Sequence, residues 1–133
     1  MRRDKNDEQW QEVKRKVFEI DKGQCLLCQD LTASEMELWK QSGTDGFSTT
    51  KTDPAHHHPV SLYAELMYDV DNLYTLCRCH HERLDYMMHP LTGKHIQQDE
   101  VERWWQRIIN RRKINQSEHN VELPEMYYDS LDD

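Results

Sequence analysis

No stretch of this sequence approaches the ~20 consecutive apolar residues that a membrane-spanning helix needs. The opening MRRDKNDEQW is polar and basic and lacks the apolar run of a secretory signal, so a cytoplasmic protein without a membrane partner is expected. Only four cysteines are present among 133 residues. In a reducing compartment they stay as thiols, and paired cysteines are then expected to hold metal rather than to form disulfides. Neither an internal repeat nor a second domain is evident, and residues 1–116 read as one domain.

Lys and Arg are missing from residues 117–133, where Glu118, Glu122, Glu125, Asp129, Asp132 and Asp133 stand. This acidic tail is expected to be flexible, and it accounts for most of the net charge of −8. Of 25 acidic side chains six lie in the tail, which leaves 19 against 17 basic ones in residues 1–116. Bound metal cations would raise the local potential further. The basic residues gather at Lys14, Arg15 and Lys16 and again at Arg103, Arg107, Arg111, Arg112 and Lys113. Charge therefore permits a nucleic-acid partner without indicating one.

What is present begins with helical periodicity at both ends. Trp10, Val13, Val17 and Ile20 recur at three- and four-residue spacing and describe one apolar helix face ending before Gly23. Val101, Trp104, Trp105, Ile108, Ile109 and Arg112 trace a second helix, with Asp99 and Glu102 at its start. Between them, Ser34 and Glu37 have capping-box spacing and predict a short helix through Trp39. Residues 41–54, rich in Gly, Ser, Thr and Asp, read as a mobile loop. Ser61 is placed to cap a short helix through Met67, after which YDVDN leads into LYTLC.

The cysteines carry the first chemical signal. Cys25 and Cys28 are separated by two residues, the spacing of a zinc knuckle, in which a tight turn aims both sulfurs at one tetrahedral ion. The second half-site, Cys77-Arg78-Cys79-His80-His81, offers no second C-x-x-C. Two-residue spacing selects Cys77 with His80 and leaves Cys79 aside.

CLLC, AHHHPVS, DVDNLYTLC and CHHERLD, in that order, resemble an HNH endonuclease of the ββα-metal (His-Me finger) superfamily, of the small stand-alone type found in phages and prophages. The resemblance spans residues 25–85, and neither terminal region contributes to it. It implies an α+β fold: a ββα-metal core stapled by a structural zinc and flanked by N- and C-terminal helices. A β-hairpin would carry the first histidines, a loop the Asn, and a following helix the last histidine. The implied activity is metal-dependent hydrolysis of DNA phosphodiester bonds in a bacterial host cell. Accessory work in phage DNA packaging, with a terminase subunit as partner, is implied by the same likeness.

Laid over the family's order, Cys77 falls at the first cysteine, His80 where the second is expected, and His81 at the catalytic-metal histidine. The change from Cys to His is a departure that keeps a good ligand, giving a Cys3His zinc site of Cys25, Cys28, Cys77 and His80. Asp85, four residues after His81, lies one helical turn on and can join the same ion, whereas the residue four after His80 is Leu84, which cannot. The competing register puts Cys79 on zinc and His80 on the catalytic ion.

At AHHHPVS the resemblance implies a metal ligand immediately before a general base, hence His56 as ligand and His57 as base. A shift by one residue, with His57 as ligand and His58 as base, stays open, because neighbouring strand residues alternate faces and alternation alone does not separate His56 from His58. The divalent ion (Mg2+, Mn2+ or another transition metal) would sit on His56, His81 and Asp85, and Asn72 would bond backbone across the loop to orient the base. Arg78 and Arg83 are candidates for phosphate contact. The alternative is a zinc-stapled binding module without catalysis, which needs the knuckle but has no use for the second ligand set.

Overall fold

The computed structural model describes residues 7–120, and the acidic tail beyond Asn120 lies outside them. Helix α1 (Glu8–Asp21) starts where the Asp7 carboxylate accepts the Gln9 N–H and stops at Lys22, whose left-handed φ of 59° ends the helix. Its buried face is Trp10, Val13 and Val17, the apolar spacing expected for it. Cys25 caps the short α2 (Leu26–Asp30), its Sγ accepting the Cys28 N–H. Helix α3 (Ala33–Ser42) opens two residues before the predicted box: Thr32 accepts the Glu35 N–H and Glu35 accepts the Thr32 N–H. Glu35 also pairs with Arg107 at 2.7 Å, a long-range tie absent from the local pattern at Ser34 and Glu37.

Strand β1 (Thr52–His56) pairs antiparallel with β2 (Leu73–Cys77) in a two-stranded sheet. The predicted loop thus loses its last residues to a strand and its first to α3. No helix is capped by Ser61; the connection holds short 3-10 turns at Ala64–Leu66 and Val70–Asn72. Helix α4 (Arg78–Asp85) follows β2 directly, and α5 (Gln98–Asn120) runs on past residue 116. The molecule is α+β, with a small antiparallel sheet between helices.

The sheet has two differently covered faces. Leu73, the cross-strand partner of His56, packs with Trp10, Val13 and Val17 of α1. Ala55, partner of Tyr74, faces the larger core built from α2, α4 and α5, including Leu27, Leu84 and Trp105. Arg112 ties the two sides together: it bonds Asp21 at 2.7 Å, donates to the Leu73 carbonyl at 2.6 Å and lies over the Tyr74 ring. Asp21 in turn accepts the Thr75 N–H at 3.0 Å, so this buried cation is fully partnered. Arg107 bonds Asp30 and Glu35, and Arg111 bonds Asp30. Much of the second basic cluster is therefore engaged in internal ion pairs. No helix among the described residues is long and apolar enough to cross a membrane.

Candidate metal centre and histidine cleft

Cys25 at the start of α2, Cys28 within it, Cys77 at the end of β2 and His80 in the first turn of α4 converge on one point. Their donor atoms all lie within 4.8 Å of one another, and among the described residues this is the one set of three or more such groups that does so. His80 Nδ1 stands 3.7 Å from the Sγ atoms of Cys25 and Cys28 and 3.5 Å from that of Cys77, and the Cys28 and Cys77 sulfurs are 4.0 Å apart. A regular tetrahedron of donors at the Zn–S and Zn–N lengths has edges of about 3.5–3.8 Å. The observed edges fit it, so the cluster can hold a metal ion such as zinc.

The electrostatics of the thiols agree. Hydrogen bonds from Cys28 and then Cys77 hold the Cys25 thiol far below its ordinary range. Contacts with Cys25 and then Cys77 push Cys28 strongly upward, and the contact with Cys25, against a lowering one with Cys28, pushes Cys77 up to about 12. Thiolates this close repel one another, and a bound dication removes that repulsion. His80 turns Nδ1 to the sulfurs and stacks its ring on Trp39 at 4.1 Å, while its buried Nε2 has no hydrogen-bond partner. Cys79 is buried apart, with its Sγ towards the Thr44 carbonyl. The spacing of Cys77 and His80 is thus the one that closes the cluster, and the register through Cys79 is not adopted.

The three consecutive histidines go three ways. His56 ends β1 on the α1 side; its Nε2 meets the Met67 carbonyl oxygen at 2.9 Å and its ring stacks on Trp10. His57 turns to the opposite side, against Trp105, with Nε2 3.0 Å from Glu102 of α5. His58 is exposed and stacks on His57 at 4.2 Å between ring centroids. A cleft of about 490 Å³ is bordered by His56, His57, His81, Asp85, Tyr86 and Glu102 among others.

Asn72 closes the loop behind these residues. Its Oδ1 accepts the His58 N–H at 2.8 Å, its Nδ2 donates to the His58 carbonyl at 3.1 Å, and its own carbonyl accepts the His57 N–H at 2.9 Å. A buried Asn so engaged fixes backbone rather than presenting its amide to a ligand.

His81 lies between two carboxylates, Nδ1 at 3.1 Å from Asp53 and Nε2 at 3.2 Å from Asp85. Burial disfavours its cation, but the hydrogen bonds and charges of Asp85 and Asp53 outweigh burial and raise its pKa. Burial likewise opposes ionisation of Asp53 and Glu102, yet Arg78 and His81 lower the first and His57 and Gln106 the second.

Neither arginine proposed for phosphate contact is free. Arg83 is fully buried and donates to the Pro90 and Gly43 carbonyls and to Asp45. Gly93, at φ 75°, leaves room for this guanidinium, since a Cβ there would come within 3.1 Å of its Nη2. Arg83 is a strut inside the fold, which corrects its expected substrate role. Arg78 grips both oxygens of Asp53, at 2.7 and 3.1 Å.

Asp53 and Glu102 are the site residues that sequence reasoning missed as such. Asp53 and Ala55 share one side of β1 and His57, just past its end, continues their period of two, a signal hidden once residues 41–54 are read as loop. Glu102 arrives from 45 residues away, and nothing local marks it. In comparisons with known proteins, no family model, curated protein or solved structure matches the chain.

Proposed function

We propose that the protein is a metal-dependent endonuclease of the HNH type, built on a ββα core, with zinc in the Cys3His cluster and a second divalent ion in the histidine cleft. The observation that carries this reading is the cleft itself: His57 and His81, with Asp85 a turn later, border one open space beside a closed sulfur-rich cluster. Closed four-ligand sites suit structural zinc, and sites with an open position suit chemistry. The donor set of two imidazoles and a carboxylate suits Mn2+ and later transition metals.

The faces of β1 favour the one-residue shift. His57, His81 and Asp85 then form the ligand set and His58 is the base, because His56 is turned towards Met67 and Trp10. Exposed beside the cleft and clamped at its backbone by Asn72, His58 takes a proton from the attacking water. An imidazole is suited to that task near neutral pH. When bound, the divalent ion supplies Lewis-acid stabilisation of the scissile phosphate and the departing 3′ oxygen. Asp53 and Glu102 hold the imidazoles that would receive it.

A second reading, a zinc-stapled binding module without catalysis, is favoured by one observation: His57 and His81 already have carboxylate partners within 3.2 Å. Nicking of supercoiled plasmid separates the two. The nuclease reading expects nicks with added Mg2+, Mn2+ or Ni2+ and none with EDTA; wild-type protein inert with every metal leaves the binding module. The nuclease reading also carries the terminase partner, which co-purification with a packaging complex tests.

A further inference from the structure

We propose that Asp53 is a positioning residue for His81, holding the imidazole so that Nε2 is the nitrogen offered to the cleft. The inference rests on reading the cleft as a divalent-metal site, and it needs no nuclease chemistry.

Four contacts lead to it. Asp53 Oδ2 is 3.1 Å from His81 Nδ1, and the other ring nitrogen, Nε2, is 3.2 Å from Asp85, a carboxylate that borders the cleft. Arg78, one turn before His81 on α4, bonds both Asp53 oxygens. With the guanidinium fixing the carboxylate plane, the Oδ2 lone pair is directed at Nδ1. The start of α4 is itself keyed to the chain before β1: the Arg78 N–H donates to the Lys51 carbonyl and the Cys79 N–H to that of Ser48, at 2.9 and 3.0 Å. Strand and helix thus keep a fixed register where Asp53 meets His81.

A carboxylate on the far nitrogen does two things for a histidine ligand. It accepts the Nδ1–H, so the neutral ring keeps its lone pair on Nε2, and it makes that lone pair a better donor. Asp53 fits this role by position as well as chemistry: among the described residues it is the carboxylate that meets His81 Nδ1, and it is half-buried, with 23% of its side chain exposed.

Two readouts independent of cleavage test it in zinc-loaded protein: the tautomer of His81 by 15N NMR at alkaline pH, and Mn2+ binding by calorimetry. The wild type should show the Nδ1–H tautomer and bind Mn2+ at the cleft. Asp53→Ala should lose the single tautomer and bind Mn2+ about 10–100-fold more weakly, with its zinc retained. Asp53→Asn keeps the shape and serves if Asp53→Ala does not fold; it should weaken Mn2+ binding in the same direction. An Nε2–H tautomer in the wild type would overturn the proposal, as would Mn2+ binding unchanged in both variants. A wild type that binds no Mn2+ would overturn the cleft reading and this proposal with it.

Discussion

The Cys3His cluster and the histidine cleft both draw on α4, through the adjacent His80 and His81, and they are organised in contrary ways. In the cluster, all four donors lie within 4.8 Å of one another and no carboxylate is present. In the cleft, each imidazole is held by a carboxylate from another element, Glu102 for His57 and Asp53 for His81, around open space. The first arrangement leaves a dication nowhere to exchange ligands, while the second leaves room for water and a phosphate. Adjacent residues on one helix, His80 and His81, thereby meet different surroundings, sulfurs for the first and carboxylates for the second.

The largest effects should separate the two regions outright. Cys25→Ser or His80→Ala should lose both metal and cooperative folding, since structural zinc supplies an apparent ~10–16 kcal/mol in units that fold with their metal. Cys79→Ser should keep its zinc, because that thiol stands outside the cluster. Metal analysis with circular dichroism checks all three, and zinc lost from Cys79→Ser while His80→Ala keeps it would reverse the assignment.

Next in size are substitutions confined to the cleft. His58→Ala should lower the nicking rate by about 10²–10⁴-fold, the usual contribution of a general base, with metal affinity unchanged. His57→Ala should instead weaken Mn2+ binding. If His57→Ala is dead at saturating Mn2+ and His58→Ala is active, the base is His57 and the shift along β1 is wrong.

Asp85→Ala should act more gently. Its carboxylate is half exposed and meets His81 at 3.2 Å, so the curve of nicking rate against Mn2+ concentration should move to the right while zinc content stays constant. Superimposed curves would remove Asp85 from the ligand set.

The smallest effect lies away from both regions, at the Arg107–Glu35 pair that fastens α5 to α3. The Arg107 hydrogen bond, against burial, brings the Glu35 carboxyl from 4.5 down to about 2. A lowered carboxylate pKa adds stability that is complete above the unfolded value and disappears as pH falls through the folded one. Arg107→Ala should therefore be less stable than wild type at pH 7, and the gap in urea midpoint should narrow between pH 4.5 and 2.

Local patterns were the legible part. The apolar spacing of Trp10, Val13 and Val17 marked α1, and the intervals from Cys25 to Cys28 and from Cys77 to His80 marked the cluster, because each rests on neighbours within one turn. The direction of each histidine was not legible, since it depends on where β1 starts, and Pro54 with its polar neighbours concealed that start. The pairing of Arg83, Arg107 and Arg112 was likewise hidden: their carboxylates Asp45, Glu35 and Asp21 lie 38, 72 and 91 residues away, and a cluster of cations in sequence looks the same whether it faces solvent or a buried acid.

The most direct test of a closed zinc site beside an open catalytic one is anomalous X-ray diffraction from zinc-loaded crystals soaked in Mn2+. The account predicts a zinc peak among Cys25, Cys28, Cys77 and His80, and a separate manganese peak at His57, His81 and Asp85. Zinc in place with no manganese in the cleft would contradict it.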